Sequence, residues 1–442
     1  MHIADRYDVI VAGGGVAGIA AAACASRNGA RTLLVEKYGF LGGMGTAGLV
    51  NPFMVSMVGG FYSEICKRME SLGGMFGRSF NPEILKFAAQ EIVLESGVDL
   101  LLHTTVTGIR MTERTITGLT LLTKSGFVDV GAQVVIDATG DADVAAMAGA
   151  PFEMGNEESG ATQAMTLMFI LGGVNVREAF VYAANHPEDM RFPKPIMESE
   201  IDGLMQTVQG ICGFYREVEE ARRLGEFTLD QEMVFFLTLP APDRVVVNTT
   251  HITGCDPLTS EGLTDAEIDG RRQVIELLHF FGKRVPGFQN AYLAETAAQV
   301  GIRESRRVMG EYVFSEEDVA EGRKFPDAVL RSAYPVDLHS GVGKGYTRDV
   351  ERTETVAPPD GDWYEVPYRC LVPKEIENLL VAGRCVSATH AGQGAMRIMP
   401  NCMALGQAAG TAAGLCLKSC VTPRSMDTEA LRSLLKKQGA IL

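Results

Sequence analysis

The chain lacks the cysteine and histidine patterns that mark several redox and metal centres. Its nine cysteines show no disulfide-like regularity, which is typical of free thiols in a reducing compartment. A Cys-x-x-Cys pair is absent, so a redox-active disulfide is not expected, and no cysteine cluster has iron–sulfur spacing. No His-x-x-His or similar run indicates a metal ligand set. We therefore expect a cytoplasmic protein without a metal centre.

Long apolar runs and an excess of basic charge are also missing. The nearest candidate for a membrane span, residues 164–174, is too short. Asp5, Arg6 and Asp8 closely precede the first apolar stretch, so we expect no signal peptide. The 442 residues contain 40 Lys and Arg against 55 Asp and Glu, a formal net charge of −15. We therefore expect neither nucleic acid nor a membrane surface as the main partner, although a local basic pocket for an acidic substrate is compatible with this charge.

An apolar strand, a Gly-rich turn and a small-residue helix stand at the start of the chain. Residues 8–18 read Asp-Val-Ile-Val-Ala-Gly-Gly-Gly-Val-Ala-Gly, and a second apolar strand ends at Glu36. In this βαβ pattern Gly13 permits the tight turn, Gly15 lets the backbone approach a pyrophosphate, and Gly18 lets the helix lie close to the strands. The pattern predicts a dinucleotide site in which Glu36 accepts hydrogen bonds from ribose hydroxyls. The alternative is a buried pair of parallel strands without a ligand.

Three separated regions are expected to complete one nucleotide-binding domain. After the first βαβ unit, strand-like runs lead to Ala138-Thr139-Gly140-Asp141, and a short buried strand leads to Gly383-Arg384. A return to the nucleotide site after more than 200 residues is typical of FAD proteins with a glutathione-reductase-like fold. We predict an α/β fold with a Rossmann-like, three-layer FAD-binding domain and a mostly parallel sheet. Residues 1–151 and 371–442, with a C-terminal helix, would form it, and residues 152–370 would form an inserted α+β substrate domain.

The most specific motif is residues 383–410, which read Gly-Arg-Cys-Val-Ser-Ala-Thr-His-Ala-Gly-Gln-Gly-Ala-Met-Arg-Ile-Met-Pro-Asn-Cys-Met-Ala-Leu-Gly-Gln-Ala-Ala-Gly. Together with residues 39–48, 247–250, 301–307 and 334–339, this segment resembles the large FAD-dependent oxidoreductase family, which is related to fumarate reductase and L-aspartate oxidase flavoproteins. The resemblance extends nearly from end to end.

The resemblance implies how the cofactor is held. Gly42, Gly43 and Thr46 would wrap the pyrophosphate and the flavin edge, and Val106 would meet adenine through its backbone. Arg384 departs from the family pattern, since relatives often carry an acid there for the ribityl chain. The predicted cofactor-binding residues are Gly13, Gly15, Val16, Ala17, Gly18, Glu36, Lys37, Gly42, Gly43, Met44, Thr46, Val106, Ala138, Thr139, Gly140, Asp141, Gly383, Arg384, Asn401, Cys402 and Met403.

A helix is expected to begin at residues 401–403, next to the flavin. By the same resemblance its N–H groups would face flavin O2 and N1. This placement is physically sensible because reduced flavin carries negative charge near N1, which a helix N-terminus stabilises. Asn401 is also a favourable N-cap, and capping alone would explain this residue.

Three residues are candidates for the chemistry. His390 precedes that helix in a Gly-rich loop and could act as a general base or bind an oxyanion, or it could merely hold loop carbonyls. Arg397 matches the arginine with which fumarate reductase relatives clamp a substrate carboxylate, although it could instead pair with an internal acid. His339 follows Asp337 at a spacing that puts both on one face of a strand, as an oriented pair or a plain strand-edge pair.

The charged run of residues 303–307 is predicted to be helical from its flanks. It is more typical of an ion-paired bridge between domains than of a substrate clamp. Arg303 and Arg307 would share a helix face, so one of them could still reach the pocket.

The sequence thus predicts an FAD-dependent oxidoreductase of the dehydrogenase or oxidase type. Hydride would pass from a small polar organic substrate to flavin N5, and electrons would then reach an unidentified acceptor. No second strand–Gly-rich–helix unit is present for NADPH, which favours electrons from the substrate. Two alternatives stay open: a fumarate-reductase-like reductase of an activated double bond, and a flavoprotein electron-transfer subunit of a complex. The chain could also form a homo-oligomer.

Overall fold

Two hydrophobic cores organise the chain in a computed structural model that describes residues 3–54, 57–191, 196–207, 210–342, 345 and 356–442. The first core joins side chains from residues 7–150 with side chains from residues 308–435. The second core draws almost entirely on residues 165–302. The chain therefore leaves its first core after about one third of its length and later returns to it.

The first third of the chain alternates strands and helices before it forms an antiparallel meander. The sequence pattern suggested two separate strand runs near residues 128–137, but these belong to one long strand. The elements are β1 (Arg6–Ala12), α1 (Val16–Arg27), β2 (Thr32–Val35), α2 (Gly60–Ser71), β3 (Met75–Phe76), β4 (Ser79–Phe80), α3 (Pro82–Glu95), β5 (Asp99–Leu101), β6 (Thr105–Thr112), β7 (Thr115–Thr123), β8 (Gly126–Asp137) and α4 (Asp143–Met147).

The middle and last parts of the chain supply the second core and the return to the first. The middle elements are β9 (Phe152–Glu153), β10 (Phe169–Gly172), α5 (Val176–Asn185), α6 (Ile201–Leu204), β11 (Gly210–Gly213), α7 (Tyr215–Arg223), β12 (Val234–Thr238), β13 (Val245–Val247), α8 (Ser260–Arg284), β14 (Tyr292–Thr296), β15 (Arg307–Val308), α9 (Glu316–Ala320), β16 (Ala328–Ser332) and β17 (Tyr364–Pro367). The last elements are β18 (Leu379–Val381), α10 (His390–Met396), α11 (Met399–Ser419) and α12 (Thr428–Lys437).

A seven-stranded sheet brings the three predicted nucleotide regions together. Its order is β5-β2-β1-β8-β7-β6, and β18 also pairs with β8. Strands β5, β2, β1, β8 and β18 run parallel, while β6, β7 and the first half of β8 form an antiparallel meander. Ala12 and Val381 both pair with Asp137. The loops that follow β1, β8 and β18 therefore leave the same edge of the sheet, where α/β proteins bind ligands.

A second, five-stranded antiparallel sheet has the order β11-β12-β13-β10-β14. Helix α8 buries Val274, Leu277 and Phe281 in the second core, where the Phe281 and Phe236 rings meet edge to face with centroids 6.0 Å apart. Together the two sheets confirm the predicted α/β fold with its mostly parallel sheet and added α+β unit. The boundaries at residues 152 and 370 stay predictions, and buried side chains from residues 308–336 and 364–372 belong to the first core. No helix in the described ranges is long and apolar enough to cross a membrane.

Helices α1 and α11 touch backbone to backbone. A Cβ on Gly406 would lie 2.1 Å from the Ala17 carbonyl oxygen, and a Cβ on Gly410 would lie 2.1 Å from the Ala21 carbonyl oxygen. Positions four residues apart lie on one helix face, so each helix presents a stripe of small residues to the other. This contact fixes the C-terminal segment next to the first βαβ unit.

Gly410→Val should destabilise the fold by forcing α1 and α11 apart. Overpacking a tight contact costs about 1–3 kcal/mol, and more where backbone atoms are opposed. The measurement is the free energy of unfolding in urea. Gly282→Ala in α8 is the control, because its Cβ would first meet the Phe288 carbonyl oxygen at an ordinary 3.7 Å. The control should be neutral or more stable by about 0.5–1 kcal/mol, and equal stability of Gly410→Val and wild type would contradict the account.

Candidate active site

Two glycines of the first turn have no room for a side chain. Gly13 has a φ of +96°, and a Cβ there would lie 2.5 Å from the Ala138 carbonyl oxygen. A Cβ on Gly18 would lie 1.8 Å from the Gly13 carbonyl oxygen. Because glycine alone accommodates these approaches, β1 turns directly into α1 and the helix lies against the turn.

The start of α1 presents backbone N–H groups that no protein acceptor occupies. Within the described residues, the N–H groups of Gly15 and Ala17 meet no acceptor, while a parallel bridge joins Gly15 to Gly42. A second loop closes beside them, since the Gly42 N–H donates to the Gly14 carbonyl oxygen at 2.9 Å. Exposed N–H groups at a helix N-terminus, together with the helix dipole, form a binding place for a phosphate.

The second loop is held tightly by its glycines and by a hydroxyl. Gly42 and Gly43 have φ angles of +113° and +54°, and a Cβ on Gly43 would lie 2.8 Å from the Gly15 Cα. The Thr46 hydroxyl donates to the Leu41 carbonyl oxygen at 2.9 Å. The two Gly-rich loops thus form a narrow cradle that a side chain would fill.

Glu36 is buried and orders the first turn directly. One of its carboxylate oxygens accepts the Gly14 N–H at 2.6 Å, and the other accepts the Tyr38 N–H at 2.8 Å. Burial raises the pKa of Glu36 although both N–H groups oppose that effect. Lys37 is exposed and Met44 is half-buried. The acid at the end of β2 therefore shapes the loop through these two hydrogen bonds.

The backbone near Val106 passes close to Glu36. Val106 is half-buried on β6 and pairs with Leu121 on β7. The Thr104 N–H donates to the Glu36 carbonyl oxygen at 3.0 Å. This hydrogen bond places residues 104–106 at the outer end of the nucleotide cradle.

The turn after β8 is built on a buried acid that the sequence reading did not single out. Asp137 accepts the Thr139 N–H at 3.0 Å, the Thr139 hydroxyl at 2.7 Å and the Ala145 N–H at 2.9 Å. Burial raises its pKa to about 6. Gly140 then adopts a φ of +81°. The signal for Asp137 is an acid that ends an apolar strand directly before a Gly-containing turn.

Arg384, in the loop after β18, forms hydrogen bonds to the turn after β8 and to Ile302. Its Nε donates to the Gly140 carbonyl oxygen at 2.9 Å, and its two terminal nitrogens donate to Asp141 and to the Ile302 carbonyl oxygen. Gly383 before it has a φ of +91°. These contacts give a physical reason for an arginine at this position, since an acid could not donate to three protein oxygens.

The helix near the C-terminal motif begins earlier than the sequence predicted. His390 is the first residue of α10 rather than part of a loop, because the Thr389 side chain caps this helix by accepting the Gly392 N–H at 3.0 Å. Gly392 has no room for a side chain, because a Cβ there would lie 2.3 Å from the Phe314 carbonyl oxygen. Arg397 lies in the short break between α10 and α11.

Asn401 is not an N-cap. Helix α11 has Ile398 at the capping position and starts at residue 399, and Pro400 suits its first turn because the missing N–H has no partner there anyway. The buried Asn401 amide donates to the Ser332 hydroxyl at 3.2 Å and to the Ala395 carbonyl oxygen at 3.1 Å. Its side-chain nitrogen therefore fastens α11 to neighbouring elements, while its Oδ1 has no partner within the described residues.

The side chains of the next two residues of α11, Cys402 and Met403, are buried in the protein interior. Cys402 is buried and its thiol donates to the Arg397 carbonyl oxygen at 3.4 Å, while burial raises its pKa to about 12. Met403 is fully buried. A thiol with so high a pKa is not a nucleophile at neutral pH.

His390 contacts a buried ion pair. Its Nδ1 lies 2.9 Å from the Glu304 carboxylate, and Glu304 also accepts from the guanidinium of Arg307. Glu304 and Arg307 are each only 1% exposed. The His390 backbone N–H donates to the Glu157 carboxylate at 2.9 Å. The predicted base is thus held from both its ring and its backbone.

Arg397 contacts the pair that the sequence placed on one strand face. Its Nη2 donates to the Asp337 carbonyl oxygen at 2.8 Å and lies 3.3 Å from both the Asp337 carboxylate and the Gln163 side-chain oxygen. His339 Nε2 lies 3.6 Å from the Asp337 carboxylate. The strand prediction is wrong, because β16 ends at Ser332 and residues 333–340 form neither strand nor helix. The side chains of Asp337 and His339 nevertheless lie close together.

Charge and burial act against each other in this cluster. Burial alone would raise the pKa of Asp337, but Arg397, His339 and Arg303 together lower it. Burial and the positive charge of Arg303 hold the pKa of His339 well below its ordinary value, although Asp337 opposes them. The cluster therefore contains an anionic carboxylate and a neutral imidazole at neutral pH.

The helix predicted for residues 303–307 is also wrong. Residues 303–306 are in neither a helix nor a strand, and Arg307 begins β15, which pairs with β9 in an antiparallel ladder. Arg303 donates to the Ala164 carbonyl oxygen at 2.6 Å and to the Thr166 hydroxyl at 2.7 Å. We use the name seam for residues 163–166, 303–307, 334–339 and 390–397, which meet where the two cores adjoin. The role of Gln163 in the seam had no signal in the sequence.

The family model described as FAD dependent oxidoreductase matches residues 8–435. The chain belongs to this family and is an FAD-dependent oxidoreductase. Family membership confirms two predictions from the sequence, namely FAD as the cofactor and an oxidoreductase as the class of enzyme. No match was found among curated protein sequences.

Solved flavoproteins are similar to this chain at low identity and with low TM-scores. A geranylgeranyl bacteriochlorophyll reductase-like protein from Thermoplasma acidophilum is 14% identical, with 98% of this chain and 84% of that chain covered and a TM-score of 0.47. L-proline dehydrogenase from P. horikoshii is 11% identical, with 97% and 96% covered and a TM-score of 0.42. p-Nitrophenol 4-monooxygenase from Pseudomonas putida is 11% identical, with 98% and 81% covered and a TM-score of 0.42. Such distant likenesses assign no substrate.

The residues present fit FAD at two separated places. The cradle between the Gly-rich loops offers N–H groups without a protein acceptor, as a pyrophosphate requires. Within the described residues, the Arg397 Nε and the Asn401 Oδ1 are buried without a hydrogen-bond partner. Buried polar atoms are rarely left unpaired in native proteins, and these two atoms of the motif at residues 397–401 are available to a bound molecule.

Gly43→Ala should lower the affinity for FAD by about tenfold or more, which corresponds to about 1.4 kcal/mol. The reason is that the new Cβ would press on the Gly15 Cα at 2.8 Å and displace the cradle. The measurement is flavin content and FAD titration of the apoprotein. Gly149→Ala is the matched control, since its φ of +78° imposes a similar backbone strain with nothing within 4 Å of the Cβ. Equal FAD affinity of the two variants would show that the cradle is placed wrongly.

Proposed function

We propose that the protein oxidises a small polar organic substrate that carries an anionic group, with hydride passing to flavin N5. The observation that supports this most is the buried Arg397 Nε, which has no partner within the described residues. A guanidinium offers several N–H donors in a fixed plane that matches a carboxylate. Asp337 and Gln163 occupy the Nη2 of Arg397, and the substrate would take the Nε.

The charge of the seam favours an anionic substrate. The chain as a whole carries a net charge of −15, yet the seam contains four arginines against two carboxylates, those of Glu304 and Asp337, and His339 is neutral. Charge of the opposite sign is attracted to such a place, most strongly where water is excluded. The lowered pKa of Asp337 is consistent with a local excess of positive charge, since burial alone would have raised it.

His390 is the residue that we propose as the general base. Oxidation of a C–OH or C–NH unit releases a proton, which a positioned side chain must accept. The Nδ1 of His390 is engaged by Glu304, whereas no partner of Nε2 is recorded within the described residues. His390 would therefore accept the proton at Nε2, and Arg397 would hold the substrate. His339 would support the clamp from the Asp337 side.

The cofactor would be held by the cradle and by the loops after β8 and β18. Gly13, Gly15 and Gly43 would let the backbone approach the pyrophosphate, and Glu36 would accept a ribose hydroxyl. The first-turn N–H groups of α11 would meet the flavin. Bound FAD supplies the two-electron acceptor that the side chains cannot provide.

Anaerobic mixing of the holoenzyme with a panel of hydroxy acids and amino acids tests the reaction. We expect at least one compound to bleach the flavin absorbance. Arg397→Ala should lower kcat/KM for that compound by about 100-fold or more, because loss of one charge-assisted clamp costs about 2–5 kcal/mol. Bleaching only by reduced viologen, followed by reoxidation with an unsaturated acid, would instead show the reverse reaction.

Arg284→Ala is the control for Arg397→Ala. Arg284 also has a buried Nε without a partner within the described residues, and it is ion-paired with Glu226 at 2.6 Å at the end of α8. Its removal should leave kcat/KM unchanged. An equal loss in both variants would indicate general destabilisation and would contradict the role of Arg397.

A further inference from the structure

Glu304 is a buried carboxylate at the centre of the seam. It accepts from the Arg307 guanidinium and from the Gln163 N–H at 3.0 Å, and it lies 2.9 Å from Nδ1 of His390. A carboxylate so far from water is costly unless its lone pairs are satisfied. Here three donors from three separate parts of the chain satisfy it. Sequence reasoning treated this residue only as a member of an ion-paired run.

Arg307 compensates the buried negative charge of Glu304, and its other contacts go to residues other than Gln163 and His390. It donates to the Ala388 carbonyl oxygen at 3.0 Å and to the Gly155 carbonyl oxygen at 3.0 Å, and it lies 3.6 Å from the Glu157 carboxylate. Because an arginine is always protonated in proteins, its partner Glu304 is a carboxylate and only accepts hydrogen bonds. The proton in the contact with His390 therefore resides on Nδ1.

Gln163 extends the influence of Glu304 to the substrate clamp. Its backbone N–H is held by Glu304, and its side-chain oxygen lies 3.3 Å from Arg397 Nη2 and 3.2 Å from the His339 N–H. Its amide nitrogen donates to Gln393 at 3.4 Å. Gln163 is 2% exposed, so water does not compete for these contacts. One carboxylate thus fixes both the histidine and the residue that touches the arginine.

We propose that Glu304 is the positioning residue of this enzyme. It holds neutral His390 in the tautomer that carries its proton on Nδ1, which leaves Nε2 as the basic nitrogen. Through Gln163 it also fixes the orientation of Arg397. This role rests on the proposed function of His390 as a base. In the reaction the substrate proton moves to Nε2, and Glu304 neither gains nor loses a proton, as for the orienting acid of other acid–histidine pairs.

The first test is the tautomer of His390 itself. Holoenzyme labelled with ¹⁵N-histidine would be studied by long-range ¹H–¹⁵N correlation spectra at about pH 8, where a histidine of ordinary pKa is neutral. His390→Gln identifies the signal among the seven histidines. We expect the proton on Nδ1 in the wild type. A proton on Nε2 would overturn the proposal without any variant of Glu304.

Glu304→Gln tests the cause of this tautomer. An amide can donate to Nδ1, so the Nε2–H form should gain population and kcat should fall about 100-fold or more. Glu153→Gln is the matched control, because exposed Glu153 lies 4.0 Å from the Arg307 guanidinium and has no recorded contact with His390 within the described residues. The control should keep the wild-type tautomer and kcat. An unchanged tautomer in Glu304→Gln would overturn the proposal.

Gln163→Ala separates the two branches of the network. It keeps the backbone N–H that Glu304 accepts but removes the contacts to Arg397 and His339, so KM should rise about tenfold with a smaller change in kcat. A loss confined to kcat would contradict the branch through Gln163. If Glu304→Gln does not fold, the Gln163→Ala variant and the tautomer of His390 in the wild type still test the role of Glu304. If no compound bleaches the flavin, the proposed function fails, while the tautomer still decides the role of Glu304.

Discussion

The backbone contact between α1 and α11 is the constraint on which the rest of the structure depends. Gly406 and Gly410 admit the carbonyl oxygens of Ala17 and Ala21 at distances that no side chain would permit. This contact ties the C-terminal segment to the helix whose first turn forms the nucleotide cradle. The motif around His390 and Arg397 is placed beside the seam for that reason, although almost 400 residues separate it from the first glycine turn.

The seam contains buried polar contacts that lower the stability of the fold and that a purely structural contact would not require. A buried ion pair is seldom more stable than well-packed apolar groups of the same volume, and an unpaired buried polar atom costs about 1–3 kcal/mol. Glu304 forms an ion pair with Arg307, and Gln163 links Glu304 to Arg397. The Nε of Arg397 has no partner within the described residues. Such features concentrate at functional sites, because a site must be complementary to its ligand rather than to itself.

Local chemistry made much of the fold and of the cofactor predictable from the sequence. Gly13 and Gly18 are required by contacts within one βαβ unit, and Glu36 ends a strand of that same unit, so their spacing carries the information. The seam was less predictable. The contacts of Glu304 with Gln163 and of His390 with Glu304 join residues more than 80 positions apart, and no local period encodes them. The wrong helix at residues 303–307 has the same origin, because Arg303, Glu304 and Ser305 all bond to residues more than 100 positions away.

The central claim is that one site is formed where the glycine cradle and the seam meet across the two cores. The most direct measurement is a crystal structure of the FAD-loaded protein with a bound carboxylic acid substrate analogue. The account predicts the pyrophosphate on the N–H groups of Gly15 and Ala17 and the carboxylate on the Nε of Arg397, with the flavin ring in contact with the analogue at about 4 Å. A flavin ring that lies outside the seam, or a carboxylate bound without Arg397, would contradict it.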